Sequence, residues 1–139
     1  MGVVLDTSIL IAAERGHLEL DRLLTAPEVD GVAVAAITVS ELLVGAARAK
    51  DPGARSRRCG FAEWVAAAIP VLPFGVLEAR SHALLVDALM RAGAPIGATD
   101  ALIAATALAS GLQVATLDMK HFARVPGLVL VDTAPFVTA

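Results

Sequence analysis

The sequence predicts a three-layer α/β/α fold around a central, mostly parallel sheet of four to five strands. Two observations carry this expectation: short apolar runs of strand length alternate with helical patterns, and the runs are apolar throughout, as in strands buried on both faces. A third is size. With 139 residues, 57% of them hydrophobic, the chain can bury a sizeable core, so one domain over 1–139 is expected and global disorder is excluded.

The elements follow in order. Gly2–Leu5 reads as a β-branched strand, Asp6-Thr7-Ser8 offers helix caps, and Ile9–Arg15 reads as a helix ended by Gly16. His17–Thr25 suits a second helix stopped before Pro27, and Val32–Ile37 a buried strand after Asp30-Gly31. Thr38-Val39-Ser40-Glu41 has the form of a capping box leading into a helix over Leu42–Ala49. Lys50–Arg55, with Pro52 and Gly53, reads as a loop, Phe61–Ile69 as a helix and Val71–Phe74 as a short strand. Leu77–Ala92 is a long helical pattern with Leu77, Ser81, Leu84, Leu85, Ala88 and Leu89 along its inner side. Thr99-Asp100 opens an Ala-rich helix to Ser110, stopped by Gly111; Gln113–Leu117 is a strand, Asp118–Ala123 a short helix, and Leu128–Val131 a last strand.

Several function classes fall away. The longest charge-free stretch, Ala101–Leu117, is short of a membrane span and carries Thr106, Ser110, Gly111 and Gln113. The first residues lack the cationic start and apolar run of a secretory signal, and the lone Cys59 cannot form an internal disulfide, so a cytoplasmic protein is expected. No glycine-rich phosphate loop is present, and Ser8 stands where an Asp-x-Asp phosphatase wants its second acid.

Four carboxylates mark equivalent junctions: Asp6 after the first strand, Glu41 in the first turn after the second, Asp100 opening the Ala-rich helix, and Asp118 after the fourth strand. In open α/β sheets the carboxyl ends of the strands share one edge, so acids distant in sequence can meet there. Such a cluster suits a hard cation. With no Cys or His pair at ligand spacing, oxygen ligation favours Mg2+ or Mn2+ over zinc. Acids at helix N-termini also serve as plain caps and dipole partners, a reading Glu41 fits especially well.

Asp6-Thr7-Ser8 after the N-terminal strand, Thr38-Val39-Ser40-Glu41-Leu42, Thr99-Asp100-Ala101-Leu102-Ile103-Ala104-Ala105 and Thr116-Leu117-Asp118-Met119-Lys120-His121-Phe122 together resemble the PIN-domain family. Within it the chain looks most like the VapC-type toxins of toxin–antitoxin modules. The resemblance covers nearly the whole chain, and its most specific part is the Asp100 segment followed by the Asp118 segment. It implies a PIN-like fold and a Mg2+-dependent (or Mn2+-dependent) endoribonuclease toxin with Asp6, Glu41, Asp100 and Asp118 as catalytic metal ligands. Thr7 and Thr116 match the family's neighbouring hydroxyl positions, where they would fix carboxylate rotamers. The role of Asp118, in a Thr-Leu-Asp context where many relatives carry a nearby Asn, is left between direct and water-mediated contact. By the same resemblance the partners are an RNA substrate and a cognate VapB-type antitoxin whose C-terminal segment lies in a groove and blocks the acids.

A net charge of −3 is awkward for RNA, yet setting the four acids aside leaves 11 cationic against 10 acidic side chains. Arg48, Lys50, Arg55, Arg57 and Arg58 form the densest basic stretch and are the candidate phosphate contacts, beside the alternative of a solvated loop. His17, His82 and His121 read as surface or packing residues, His121 standing out for its place near Asp118. Cys59, with no His partner, reads as inert, and Trp64 as a core or interface residue. So apolar a chain of this size implies surface patches covered by a homodimer or a partner. Two other classes are weighed. A receiver-like Mg2+-binding signalling domain wants an acidic pair closing the first strand, where Leu5 precedes Asp6; a catalytically silent PIN-like module would lack an acid, and none is missing.

Overall fold

The computed structural model describes residues 2–138. Strand β1 (Val3–Leu5) leads into helix α1 (Thr7–Glu14), then α2 (Leu20–Leu24), β2 (Val32–Ala35), α3 (Ala36–Ala47) and α4 (Pro52–Ala68). Strand β3 (Val71–Leu72), α5 (Val76–Arg91), α6 (Ala98–Ala109), β4 (Gln113–Ala115) and α7 (Met119–Phe122) follow, and a 3-10 turn at Ala134–Phe136 comes last. The sheet order is β3-β2-β1-β4 with every pairing parallel, so all four strands end on the same edge.

Alternation within the strands builds the three layers. Val3 and Leu5 of β1 point into one core with Ile9, Leu10, Leu23, Leu42 and Val65 of α1–α4. Val4 between them points into the other, with Leu85, Leu89, Ile103 and Phe122 of α5–α7. Being covered on both faces is why β1 reads as a continuous apolar run. Gly16 and Gly111 end α1 and α6 at φ +78° and +65°, a left-handed backbone that glycine adopts without steric cost.

Five expectations need correction. The second strand stops at Ala35 and α3 starts at Ala36, the apolar run Val32–Ile37 continuing unchanged across the junction. Thr38 is therefore inside α3 and fully buried, and Glu41 is in the second turn, so the capping box does not form. Lys50–Arg55 is not a loop: Asp51 Oδ2 accepts the Ala54 N–H at 2.8 Å, Pro52 takes the first helical position, and α4 runs on through Phe61. The last strand reduces to one parallel bridge, Val114 with Leu130. On α5 only Leu85 and Leu89 of the expected apolar side are buried; Leu77 and Leu84 are 64% and 76% exposed.

Candidate active site at the carboxyl edge of the sheet

The parallel sheet sets the site. Asp6 directly follows β1, Asp118 comes three residues after β4, α3 carries Glu41 away from the end of β2, and α6 presents Asp100 in its first turn.

Asp6 is buried at the start of α1 and makes no side-chain cap to that helix. Its Oδ2 instead accepts the hydroxyl protons of Ser8 at 2.7 Å and Thr116 at 2.8 Å. Each hydroxyl, its proton so used, accepts a backbone N–H from the β4–α7 turn: Leu117 to Ser8 at 3.1 Å and Asp118 to Thr116 at 2.9 Å. Thr7 donates to Glu41 Oε1 at 2.7 Å, and its oxygen lies 3.1 Å from the Thr38 hydroxyl. Having one proton, directed at the carboxylate, Thr7 is left to accept from Thr38. Two acids are thus pinned by buried hydroxyls rather than employed as caps.

Asp100 is different. It is half-buried, and its pKa is pushed up to about 6, first by burial and then by the charges of Asp6, Asp118 and Glu41, with His121 opposing. Each of the other three acids therefore acts on Asp100. Asp118 does cap: its Oδ1 accepts the His121 N–H at 3.4 Å, while His121 Nδ1 lies 2.8 and 2.7 Å from its two oxygens. Bonding to His121 holds the Asp118 carboxyl below the usual range. Among the described residues no three His, Cys, Asp or Glu side chains stand at metal-ligand spacing. The four carboxylates are linked through the charge that Asp6, Asp118 and Glu41 put on Asp100.

The basic stretch divides. Arg55 donates through Nε and Nη2 to the Ala49 carbonyl at 3.2 and 2.9 Å and closes the α3–α4 turn, so its role is structural. Arg48, Lys50 and Arg57 are exposed. Arg58 alone of the five lines the cleft of about 80 Å³ that holds Glu41, and Arg15 lines it too. Sequence reasoning passed over Ser8, Thr38 and Arg15. Ser8 belongs to the Asp-Thr-Ser motif and Thr38 to the Thr-Val-Ser-Glu segment, where it reads as a helix cap, whereas Arg15 gave no signal. His121, read as a surface or packing residue, is engaged with Asp118. Trp64 is 44% exposed and stacks on Phe61 at 5.9 Å, which excludes the core reading.

Known proteins share this fold. A family model described as "PIN domain" matches residues 3–128. Ribonuclease VapC of Rickettsia bellii (strain RML369-C) is 38% identical over 128 residues, covering 92% of this chain and 93% of that protein. Ribonuclease VapC5 of Mycobacterium tuberculosis (strain ATCC 25618 / H37Rv) is 36% identical over 129 residues, covering 93% and 91%. The DNA-bound VapBC structure from Salmonella typhimurium superposes with a TM-score of 0.83 at 27% identity, covering 94% of this chain and 97% of that one. VapBC-5 from M. tuberculosis gives 0.76 at 32% identity, covering 94% and 97%. With a family model matching nearly its full length and relatives this similar over most of it, the chain belongs to the PIN-domain family, in its VapC ribonuclease branch.

Proposed function

We propose that the chain is a divalent-metal-dependent endoribonuclease toxin, held in check by a VapB-type antitoxin. The observation that carries the metal reading is Asp100: a half-buried carboxylate raised to about 6 by burial and three neighbouring acids is a site of surplus negative charge that a dication would offset. The donors are oxygens, which fits Mg2+ or Mn2+. Asp6, Glu41 and Asp100 would hold the cation, with Asp118 at its edge.

When bound, such a cation supplies charge to a phosphate oxygen and acidifies an attacking water. The chain's own part is orientation. Ser8 and Thr116 fix the Asp6 rotamer and Thr7 that of Glu41, so both carboxylates are preorganised before RNA arrives. His121 keeps Asp118 turned toward α7. A receiver-like or catalytically silent module gains no support, since all four acids are present and Asp100 feels the other three.

The antitoxin is supported by structural neighbours that are VapBC complexes. It is supported too by an open groove of about 610 Å³ between α2 and α4, where Leu20, Phe61 and Trp64 present apolar surface. A second copy of the chain is proposed to cover the outward side of α5, where Val76, Leu77, Leu84 and Met90 stand exposed. Among the described residues no helix is long and apolar enough to cross a membrane.

The test is incubation of purified protein with total RNA with and without Mg2+, beside Asp6→Asn. Cleavage should require the metal, cease with EDTA, and fall by orders of magnitude in the variant, with Ca2+ a poor substitute. Equal cleavage in chelator would overturn the metal reading.

A further inference from the structure

The cleft beside Glu41 has a composition that the metal site does not explain. Its lining combines the apolar Leu42 and Phe61 with Arg15, Arg58 and Glu14. They arrive from two directions: Arg15 is the residue that ends α1, and Arg58 is on α4, where that helix packs along α3. The ion pairs among the described residues are Arg22–Glu19, Arg91–Asp87 and His121–Asp118, so neither guanidinium is neutralised by a carboxylate, although Glu14 and Glu41 line the same cleft. The lining also includes Gly45, one helical turn beyond Glu41. Glycine inside a helix is destabilising, and a Cβ here would meet no neighbour within 4 Å, so packing does not demand it. What Gly45 supplies is room.

We propose that Arg15 and Arg58 together clamp a backbone phosphate of the RNA beside the one brought to the carboxylates, with Gly45 leaving space for the strand to lie against α3. The inference rests on the ribonuclease reading and adds to it how substrate is held. Two forked guanidinium groups suit phosphate oxygens, and the clamp reads no base, so it serves any sequence. Arg15 thereby becomes a substrate contact that the basic stretch did not contain, and of that stretch Arg58 alone belongs to the clamp, with Arg48, Lys50, Arg55 and Arg57 outside it.

The experiment measures binding of a labelled, mixed-sequence single-stranded oligoribonucleotide to Asp100→Asn protein over a salt series. Adding Arg15→Gln with Arg58→Gln should weaken binding about tenfold or more and lower the logarithmic salt slope by about 0.7 for each phosphate no longer neutralised. Glu14→Gln should tighten binding, since it removes the repelling charge. Gly45→Leu should weaken binding while leaving the melting temperature level or higher, which separates occupied space from a folding defect. The exposed pair Arg48→Gln with Arg57→Gln is the control, with about a twofold effect from screened charge alone. An unchanged slope in the Arg15/Arg58 variant, or an equal weakening in the control, overturns the clamp and leaves the cleft to the protein partner. Separately, if Asp100→Asn still cleaves this RNA in Mg2+, the metal reading fails whatever the arginines do.

Discussion

Asp6 and Asp100, coupled by charge, are held in opposite ways, and this decides how each responds to substitution. Asp6 has two hydroxyl donors, so Asp6→Asn breaks a buried network as well as removing charge. Asp100 has its pKa pushed up to about 6, so its charged form is disfavoured by the fold. Between the unfolded value near 3.8 and about 6 the folded chain binds the extra proton; this residue's contribution to stability therefore falls as pH rises through that window. Metal-free thermal melts should show that fall in wild type and its loss in Asp100→Asn, which should melt higher near neutral pH and gain nothing from Mg2+. Asp118 has the opposite sign: its lowered pKa gives stability present above 3.8 and lost as pH falls through its folded value, and Asp118→Asn should remove that acid-side loss. Thr7→Val should keep the fold yet weaken Mg2+ binding, by about 1 kcal/mol in calorimetric titration, because Glu41 loses its donor. The four acids stand out in the sequence because each lies close to the start of an expected helix, and in the fold Asp6, Glu41 and Asp118 all act on Asp100. The hydroxyl partners were legible only in part: Ser8 stands two residues from Asp6, yet the Leu117 N–H that fixes its hydroxyl comes from a turn more than a hundred residues away.

At the scale of elements, strands and helix stops were legible wherever residue type alone forces the backbone, as at Gly16 and Gly111. The reading failed where two structures share one composition. Val32–Ile37 is equally apolar on both sides of the β2–α3 junction, so nothing local marks Ala35 as the last strand residue. That shift of two residues moved Glu41 from a capping position to an interior one. Proline and glycine misled at Pro52-Gly53, because Pro at the first position of a helix looks like a loop signal until Asp51 is seen capping Ala54. The α3–α4 turn is then held by Asp51 and by both Arg55 donors on the Ala49 carbonyl. Arg55→Ala should cost about 1–2 kcal/mol and Asp51→Ala about 1 kcal/mol in denaturant unfolding, with RNA affinity near wild type for both.

For the whole molecule, the outward side of α5 is where periodicity overstated burial: Leu77 and Leu84 match the apolar stripe yet face away from the core. If a second copy covers them, Leu84→Glu should convert a dimer to a monomer in sedimentation while changing the melting temperature of the single chain little, since exposed substitutions away from special features stay within about 0.5 kcal/mol. The sheet order also bears on when activity begins. The first strand of the chain stands between β2 and β4, with Val3 beside Gln113, and Asp6 takes one of its two hydroxyl partners from Thr116. A chain still emerging from the ribosome has its first acid long before it has the residues that orient it, and long-range parallel pairing is slow to form. On the proposed ribonuclease reading the connectivity itself would delay activity: an unfinished copy would lack an oriented Asp6, and the interval before β4 docks would be time in which the proposed antitoxin could arrive.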